Sequence, residues 1–364
     1  MLVAIVGGGQ LGQMLALASI PLGHRFRALD PAWDAPAGRV CELIVGAYDE
    51  RTALDRLVDG AGVLTYEFEN VPVGAVRALE RRLPILPPPA SLELTQDRVT
   101  ERGVFAAAGL PTARFAAAGI PHELAEAIEV TGLPAVAKTR RLGYDGKGQA
   151  LIRAPADVEP VWAALGGVPA MVESFVEFRR ELSIVAVRGQ DGAFVAYPLV
   201  ENTHRDGILR VTRAPARVSP DVQARAEAGA RRVSEHLGHV GVLAIELFET
   251  EEGLLANEIA PRVHNSGHWT IEGAQTSQFE NHVRAVTAMP LGATDPVGYS
   301  TMVNLIGAVP DPAAVAAIPG AHLHLYSKEP RAGRKLGHVT VRSDDAEALE
   351  ALTLKLEATL TDQG

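Results

Sequence analysis

Only five of the 34 basic residues in this chain are lysines, and four of those five stand in two short glycine-containing segments. Lys138 and Lys147 flank the run Lys138-Thr139-Arg140-Arg141-Leu142-Gly143-Tyr144-Asp145-Gly146-Lys147-Gly148-Gln149, and Lys328 and Lys335 lie in a segment ending at His338. Arginine does the general surface work, so the retained lysines point to sites that need a compact ammonium rather than a planar fork. Phosphate fits that need. The apolar run 134–137 brings Lys138 in on a strand. Gly143, Gly146 and Gly148 then let successive backbone N–H groups of one loop face a single anion, with Lys147 as a second point charge. No Gly-Lys-Ser/Thr occurs, so the geometry differs from a Walker loop. The competing reading is a solvated hairpin tip.

The second cluster is acidic. Two strand-like runs, 242–248 and 254–259, flank the turn Thr250-Glu251-Glu252-Gly253. A hairpin centred near residue 252 makes Glu246 and Glu258 cross-strand neighbours, roughly 5 Å apart on one face. Inside apolar strands such a pair calls for a counter-charge. Oxygen donors from Glu246, Glu258 and Asn257 suit Mg²⁺ bridging nucleotide phosphates, and a salt bridge to arginine is the alternative. The polar run Ala260-Pro261-Arg262-Val263-His264-Asn265-Ser266-Gly267-His268 follows directly and offers Arg262, His264, Asn265 and Ser266 to an anionic substrate. Tyr66-Glu67-Phe68-Glu69-Asn70 ends a strand, where open α/β sheets bind ligands. Glu201-Asn202-x-His204 reads as another strand end, and either segment could instead cap a loop.

Gly7-Gly8-Gly9-Gln10-Leu11-Gly12 fits G-x-G-x-x-G between a strand and a helix, with Asp30 ending the next strand. Three readings stay open: a nicotinamide or flavin site, a tight turn, or a helix N-terminus presented to another phosphate.

The elements that must position these residues form two patterns. Residues 1–95 alternate strands (2–6, 25–29, 42–45, 63–66) with helices (11–19, 73–82), which predicts a small doubly wound parallel sheet. The proline run 84–89 cannot be helical and carries the chain onward. Residues 96–291 read as an α+β domain with antiparallel strands at 134–139, 170–175, 181–188 and 194–200, a helix at 221–237 and the hairpin above. Residues 292–364 form a third unit, with strands at 301–305, 322–326 and 339–342 and a helix at 345–360. A single cysteine, Cys41, excludes an internal disulfide and points to a reducing compartment, the cytoplasm. The net charge of −10 argues against nucleic acid. The apolar start lacks a basic flank and is cut short by Gly7, so it is not a secretory signal, and no segment is long enough to span a membrane.

In order along the chain, these motifs, together with Gln96-Asp97-Arg98 and Gly333-Arg334-Lys335-x-Gly-His338, resemble the 5-(carboxyamino)imidazole ribonucleotide synthetases, an ATP-grasp family of purine biosynthesis. The resemblance implies three domains and a homodimer. It implies carboxylation of the amine of aminoimidazole ribonucleotide by bicarbonate through carboxyphosphate, with ATP, Mg²⁺ or Mn²⁺, and onward passage of the product to a mutase. ATP would be held by Arg98, Lys138, Gly143, Tyr144, Asp145, Gly146, Lys147, Gly148, Gln149, the hinge Glu173, Ser174, Phe175 and Val176, the ribose acid Glu181, and His204, Asn257 and Glu258. Glu246 and Glu258 would hold the metal. Tyr144, Asp145, Lys147, Arg262 and His264 would serve the chemistry, and Gly9, Gln10, Leu11, Glu67, Asn70, Asn265, Ser266, Lys328, Arg334 and Lys335 the ribonucleotide. Two departures stand out: Leu142 where the family often has glycine, and Val263 where proline is usual. The rival readings are another ATP-grasp acyl-phosphate ligase, of the formate-dependent glycinamide ribonucleotide transformylase or biotin carboxylase type, a nicotinamide-dependent oxidoreductase, and a non-catalytic nucleotide sensor.

Overall fold

The computed structural model describes residues 1–143 and 146–361; Tyr144 and Asp145, two of the expected site residues, lie outside the described residues. Leu2–Val6 pairs in parallel with Arg25–Asp30 on one side and Val63–Tyr66 on the other, and Glu42–Val45 completes a four-stranded sheet. A parallel strand covered on both faces reads as a continuous apolar run, as Leu2-Val3-Ala4-Ile5-Val6 does. The strand order reverses beside it, so the loops after Val6 and Tyr66 face one another at the crevice where such sheets bind ligands.

The helix expected over 73–82 stops at Arg77, and Val76 is its one buried residue, too small an apolar stripe to carry it further. Ile85 lies alongside Leu64 as an extended edge. The proline run is non-helical only up to Pro88. Pro89 opens the helix Pro89–Thr95, where a first-turn residue needs no N–H.

Two antiparallel sheets follow. The smaller is ordered Phe115–Ala118, Ala170–Ser174, Ala135–Thr139, Gln149–Ile152 and is backed by the helices Pro121–Thr131 and Val158–Ala164. The larger has nine strands. It runs from the edge strand Leu254–Ala260 through Gly241–Glu249, Arg180–Arg188, Val200–Arg205, Ile208–Ala214, Tyr299–Ile306 and Lys335–Ser343 to Ala321–Leu325, with Phe194–Ala196 joined to Arg180–Arg188. The strands after residue 292 therefore extend this sheet. Helix Pro220–His236 packs Ala226, Ala230 and Val233 on one face of the larger sheet. Helix Gln278–Val286 covers the other with Phe279, Val283 and Val286, in a core shared with Leu11, Met14 and Leu15 of Gln10–Ser19. One parallel and two antiparallel sheets make up the expected mixed α/β and α+β class.

The strand expected over 194–200 is two strands, because Pro198 has no N–H to give a ladder. Glu201, Asn202 and His204 consequently lie within the strand Val200–Arg205 and not at its end. Among the described residues no helix is long and apolar enough to cross a membrane.

Candidate functional site

Lys138, Lys147, Lys328 and Lys335 all line one cleft of about 760 Å³, a volume within the usual range for small-molecule sites. Gln10, Leu11 and Glu67 enter it from the parallel sheet, and Gly146, Gly148 and Gln149 from the smaller antiparallel sheet. Glu181, His204, Glu246, Asn257 and Glu258 enter from the larger sheet, with Arg334 near its C-terminal end.

Glu246 and Glu258 are direct cross-strand partners, as the hairpin argument requires. The register then slips, since Leu247 pairs with Ala256, and Asn257 is left as a bulge. Strict alternation would send Asn257 and Glu258 to opposite faces; the bulge turns both into the cleft. Asn257 Oδ1 lies 3.4 Å from Lys138 Nζ, and its Nδ2 lies 3.5 Å from Glu246 Oε2. Burial and the adjacent Glu258 push the Glu246 carboxyl up to about 7. Burial acts the same way on Glu258, but the Arg98 guanidinium at 3.0 Å, with Lys138 and Arg262, outweighs it and holds that carboxyl below its ordinary range. The arginine alternative thus applies to Glu258, while Glu246 faces His264 Nε2 at 3.6 Å. Two recessed carboxylates beside an amide oxygen suit a hard divalent cation that takes its remaining ligands from phosphate and water. Among the described residues no group of three or more His, Cys, Asp or Glu forms a fuller cage.

The strand carrying these donors is an edge; Ala256 N donates to Pro111 O at 2.7 Å, and two further outward backbone groups are taken by residues that the sequence reading missed. Arg102 Nη1 donates to Asn257 O at 2.7 Å, and Glu101 Oε1 accepts from Ile259 N at 2.6 Å. Arg102 Nη2 also donates to Glu173 at 2.8 Å, and the other Glu173 oxygen pairs with Lys138. Burial opposes ionisation of Glu173, yet Lys138 and Arg102 hold its carboxyl at about 2, while burial pushes Glu101 up to about 8. The Glu173 side chain therefore aims Lys138. With Ser174, Phe175 and Val176, the expected hinge, it is not among the residues that line this cleft. Glu101 and Arg102 could have been noticed as adjacent opposite charges just before the buried Val104 and Phe105.

The glycine turn is already occupied by the protein itself. Gly9 N and Gly12 N donate to the two oxygens of Glu67 at 2.7 and 3.0 Å, so a carboxylate fills the place where a dinucleotide would put its phosphate. A Cβ on Gly7 or Gly9 would come within 2.6 or 2.7 Å of that side chain. Asp30 is also engaged, accepting from Gly8 N at 2.8 Å and Tyr48 Oη at 3.0 Å. Burial pushes the Glu67 carboxyl up, against the two N–H groups and Arg262.

Arg262 pairs with Glu69 across the cleft, and His264 Nδ1 lies 2.8 Å from Ser266 Oγ. Burial and the nearby Arg262 and Lys335 push the His264 ring well down, so it is neutral. Asn265 lines the cleft with both amide atoms unpartnered, while Ser266 is buried behind it. Gln10 accepts from Lys328. His204 pairs with Glu181, whose charge, with that of Glu246, raises the ring against burial. Gly143 and Asn70 line a crevice that adjoins the main cleft and shares Glu69, Arg98 and Glu258 with it. Val263 is fully buried in the core, which accounts for an apolar residue at that position.

Three family models match the chain: a ribonucleotide synthetase preATP-grasp domain over residues 1–96, an ATP-grasp domain over 103–279, and a phosphoribosylaminoimidazole carboxylase C-terminal domain over 300–352. The chain is 50% identical over 358 residues to N5-carboxyaminoimidazole ribonucleotide synthase of Pseudomonas aeruginosa, covering 98% of this chain and 99% of that one. It is 44% identical over 344 residues to the Brucella melitensis protein of the same name, covering 93% and 95%. Among solved structures, N5-carboxyaminoimidazole ribonucleotide synthetase from Thermus thermophilus superposes with a TM-score of 0.95 at 53% identity, covering 99% of this chain and 98% of that one. The Aspergillus clavatus synthase in complex with ADP and 5-aminoimidazole ribonucleotide superposes with a TM-score of 0.93 at 31% identity, covering 99% and 98%.

Proposed function

The chain belongs to the N5-carboxyaminoimidazole ribonucleotide synthases of the ATP-grasp family, and from that premise we propose how its cleft divides the reaction. It is an ATP-dependent ligase of purine biosynthesis. The observation that carries the division of labour is the meeting of the four lysines with the pair Glu246 and Glu258 in one cleft.

The triphosphate lies between Lys138, the 143–149 loop with Lys147, and Asn257-Glu258, with Glu181 and His204 toward the ribose and Arg98 behind Glu258. Glu246 and Glu258 would hold a magnesium or manganese ion, which when bound supplies positive charge to the phosphate oxygens. A bicarbonate oxygen attacks the γ-phosphorus and the bond to ADP breaks, giving carboxyphosphate, while Lys138 and Lys147 offset the charge on the transferring group. The ribonucleotide amine then attacks the carboxyl carbon, the bond to phosphate breaks, and the departing phosphate takes the amine proton. Arg262, His264, Asn265, Lys328, Arg334 and Lys335 hold the anionic groups of the second half-reaction; Tyr144 and Asp145 position the amine. Closure of the glycine loop keeps water from the intermediate.

The bound ADP and 5-aminoimidazole ribonucleotide of the Aspergillus clavatus relative support this reading. So does Asn265, a cleft-lining residue whose buried amide has no hydrogen-bond partner. The nicotinamide alternative loses its phosphate seat to Glu67. The proposal extends to the units 1–95, 96–291 and 292–364, to a homodimer in the cytoplasm, and to direct passage of the unstable carbamate to a mutase. Phosphate release from Mg-ATP and bicarbonate tests it: strong stimulation by aminoimidazole ribonucleotide is expected, and equal release without it overturns the assigned substrate.

A further inference from the structure

The run Arg262 to His268 must hold several polar side chains toward one cleft, yet it has almost no regular structure, only the short turn Asn265–Gly267. Its shape is set from behind by a residue fourteen positions further on. Gln278, the first residue of helix Gln278–Val286, is fully buried and turns its side-chain amide into the loop. Its Oε1 accepts from His264 N at 2.9 Å, and its Nε2 donates to His264 O at 2.6 Å, so the amide pairs with both backbone groups of His264 as a neighbouring strand would. The remaining Nε2 hydrogen faces His268 Nδ1 at 3.4 Å. Gln278 N donates to Thr270 Oγ1 at 2.9 Å, and that hydroxyl donates to Gly267 O at 2.6 Å, which closes the clamp around the loop.

Two consequences reach the cleft. Ser266 N points at His264 Nδ1 from 3.3 Å, which makes Nδ1 the acceptor and leaves the ring proton on Nε2, toward Glu246. The donor from Gln278 likewise makes His268 Nδ1 an acceptor and places that ring's proton on Nε2. Gly267 is part of the same device, because a Cβ there would lie 2.5 Å from Gln278 Oε1 and expel the amide.

We infer that Gln278 is a positioning residue for the ribonucleotide half of the site, fixing the backbone of His264 and the tautomer of His268 without touching substrate. This rests on the reading that the 262–268 loop meets the ribonucleotide. The nucleotide contacts at Lys138, Glu181, His204 and Asn257 stand on other strands and are untouched by the clamp.

The test is steady-state kinetics of Gln278→Glu and Gln278→Leu against the native enzyme, with the two substrates varied separately. A carboxylate can accept from His264 N but cannot donate to His264 O or His268 Nδ1, whereas the protonated acid regains one donor. The expected result is a tenfold or greater rise in KM, or loss of kcat, for aminoimidazole ribonucleotide, with KM for ATP within twofold. Relative to the native enzyme, Gln278→Glu should recover as pH falls from 8 to 6, and Gln278→Leu should not. The titratable groups facing the amide, His264 and His268, with His324 and His338 stacked beyond, are common to all three proteins and cancel in that ratio. Equal loss toward ATP and the ribonucleotide, or a Gln278→Glu ratio that does not change with pH, overturns the inference. Failure of the native enzyme to respond to the ribonucleotide would instead sink the functional reading beneath it.

Discussion

Arg102 shows how one buried side chain serves several functional ones. It touches Asn257 O, Glu101 and Glu173, and through Glu173 it sets Lys138. Removing one partner of such a network leaves charges buried without compensation, at about 3–5 kcal/mol. Arg102→Met is therefore expected to lower unfolding stability by about that amount, read from denaturant midpoints. Adding Glu101→Gln should return part of it, and a single variant as stable as the native protein would show the network to be idle. These residues were hard to find in advance. Lys138, Lys147, Glu246 and Glu258 announce themselves by charge in apolar or glycine-rich surroundings, whereas the role of Arg102 exists only once three segments distant in sequence have met.

At the scale of elements, legibility followed local pattern. The hairpin could be read because 242–248 and 254–259 are apolar runs about a glycine turn, and its register came out with Glu246 opposite Glu258. The bulge at Asn257 has no local signature; it lies where Glu101 and Arg102 of helix Arg98–Ala107 take the backbone groups of Ile259 and Asn257. Pro198 did carry a signal, and reading 194–200 as one strand overlooked it. In the glycine loop, Leu142 adopts φ 64° and is 70% exposed. For a residue with a Cβ that conformation costs about 1–2 kcal/mol, so the loop holds it against preference. Leu142→Gly is expected to leave global stability within about 1 kcal/mol while speeding hydrogen exchange of amides 139–149 and raising KM for ATP at least twofold. Unchanged exchange in that window would remove Leu142 from any account of closure.

Across the whole molecule, the parallel sheet is joined to the larger sheet through buried imidazoles. His282 Nε2 meets Thr65 Oγ1 at 2.9 Å and its Nδ1 accepts from Val242 N at 3.1 Å; His239 lies between Ser91 Oγ at 2.8 Å and Val242 O at 3.0 Å. Both rings are neutral, held by burial at about 3 for His282 and about 4 for His239, against 6.5 when unfolded. A depressed histidine gives its full stability above the unfolded value and loses it as pH falls toward the folded one, by up to about 1.4 kcal/mol per pH unit. Glu101 and Glu246, held high, act in the opposite sense, so a difference isolates the histidine. The stability gap between the native protein and His282→Gln should shrink by about 2 kcal/mol between pH 6.5 and pH 5; a constant gap would mean that the ring is not held neutral at this junction.

The central claim is that the paired carboxylates and the lysine-lined cleft drive ATP-dependent carboxylation of the ribonucleotide. The most direct measurement is phosphate release from Mg-ATP and bicarbonate, with and without aminoimidazole ribonucleotide, on the native protein and on Glu258→Gln. The account predicts strong stimulation by the ribonucleotide in the native protein and its loss in the variant. Slow ATP turnover indifferent to the ribonucleotide, or a Glu258→Gln protein that is still fully stimulated, would contradict it.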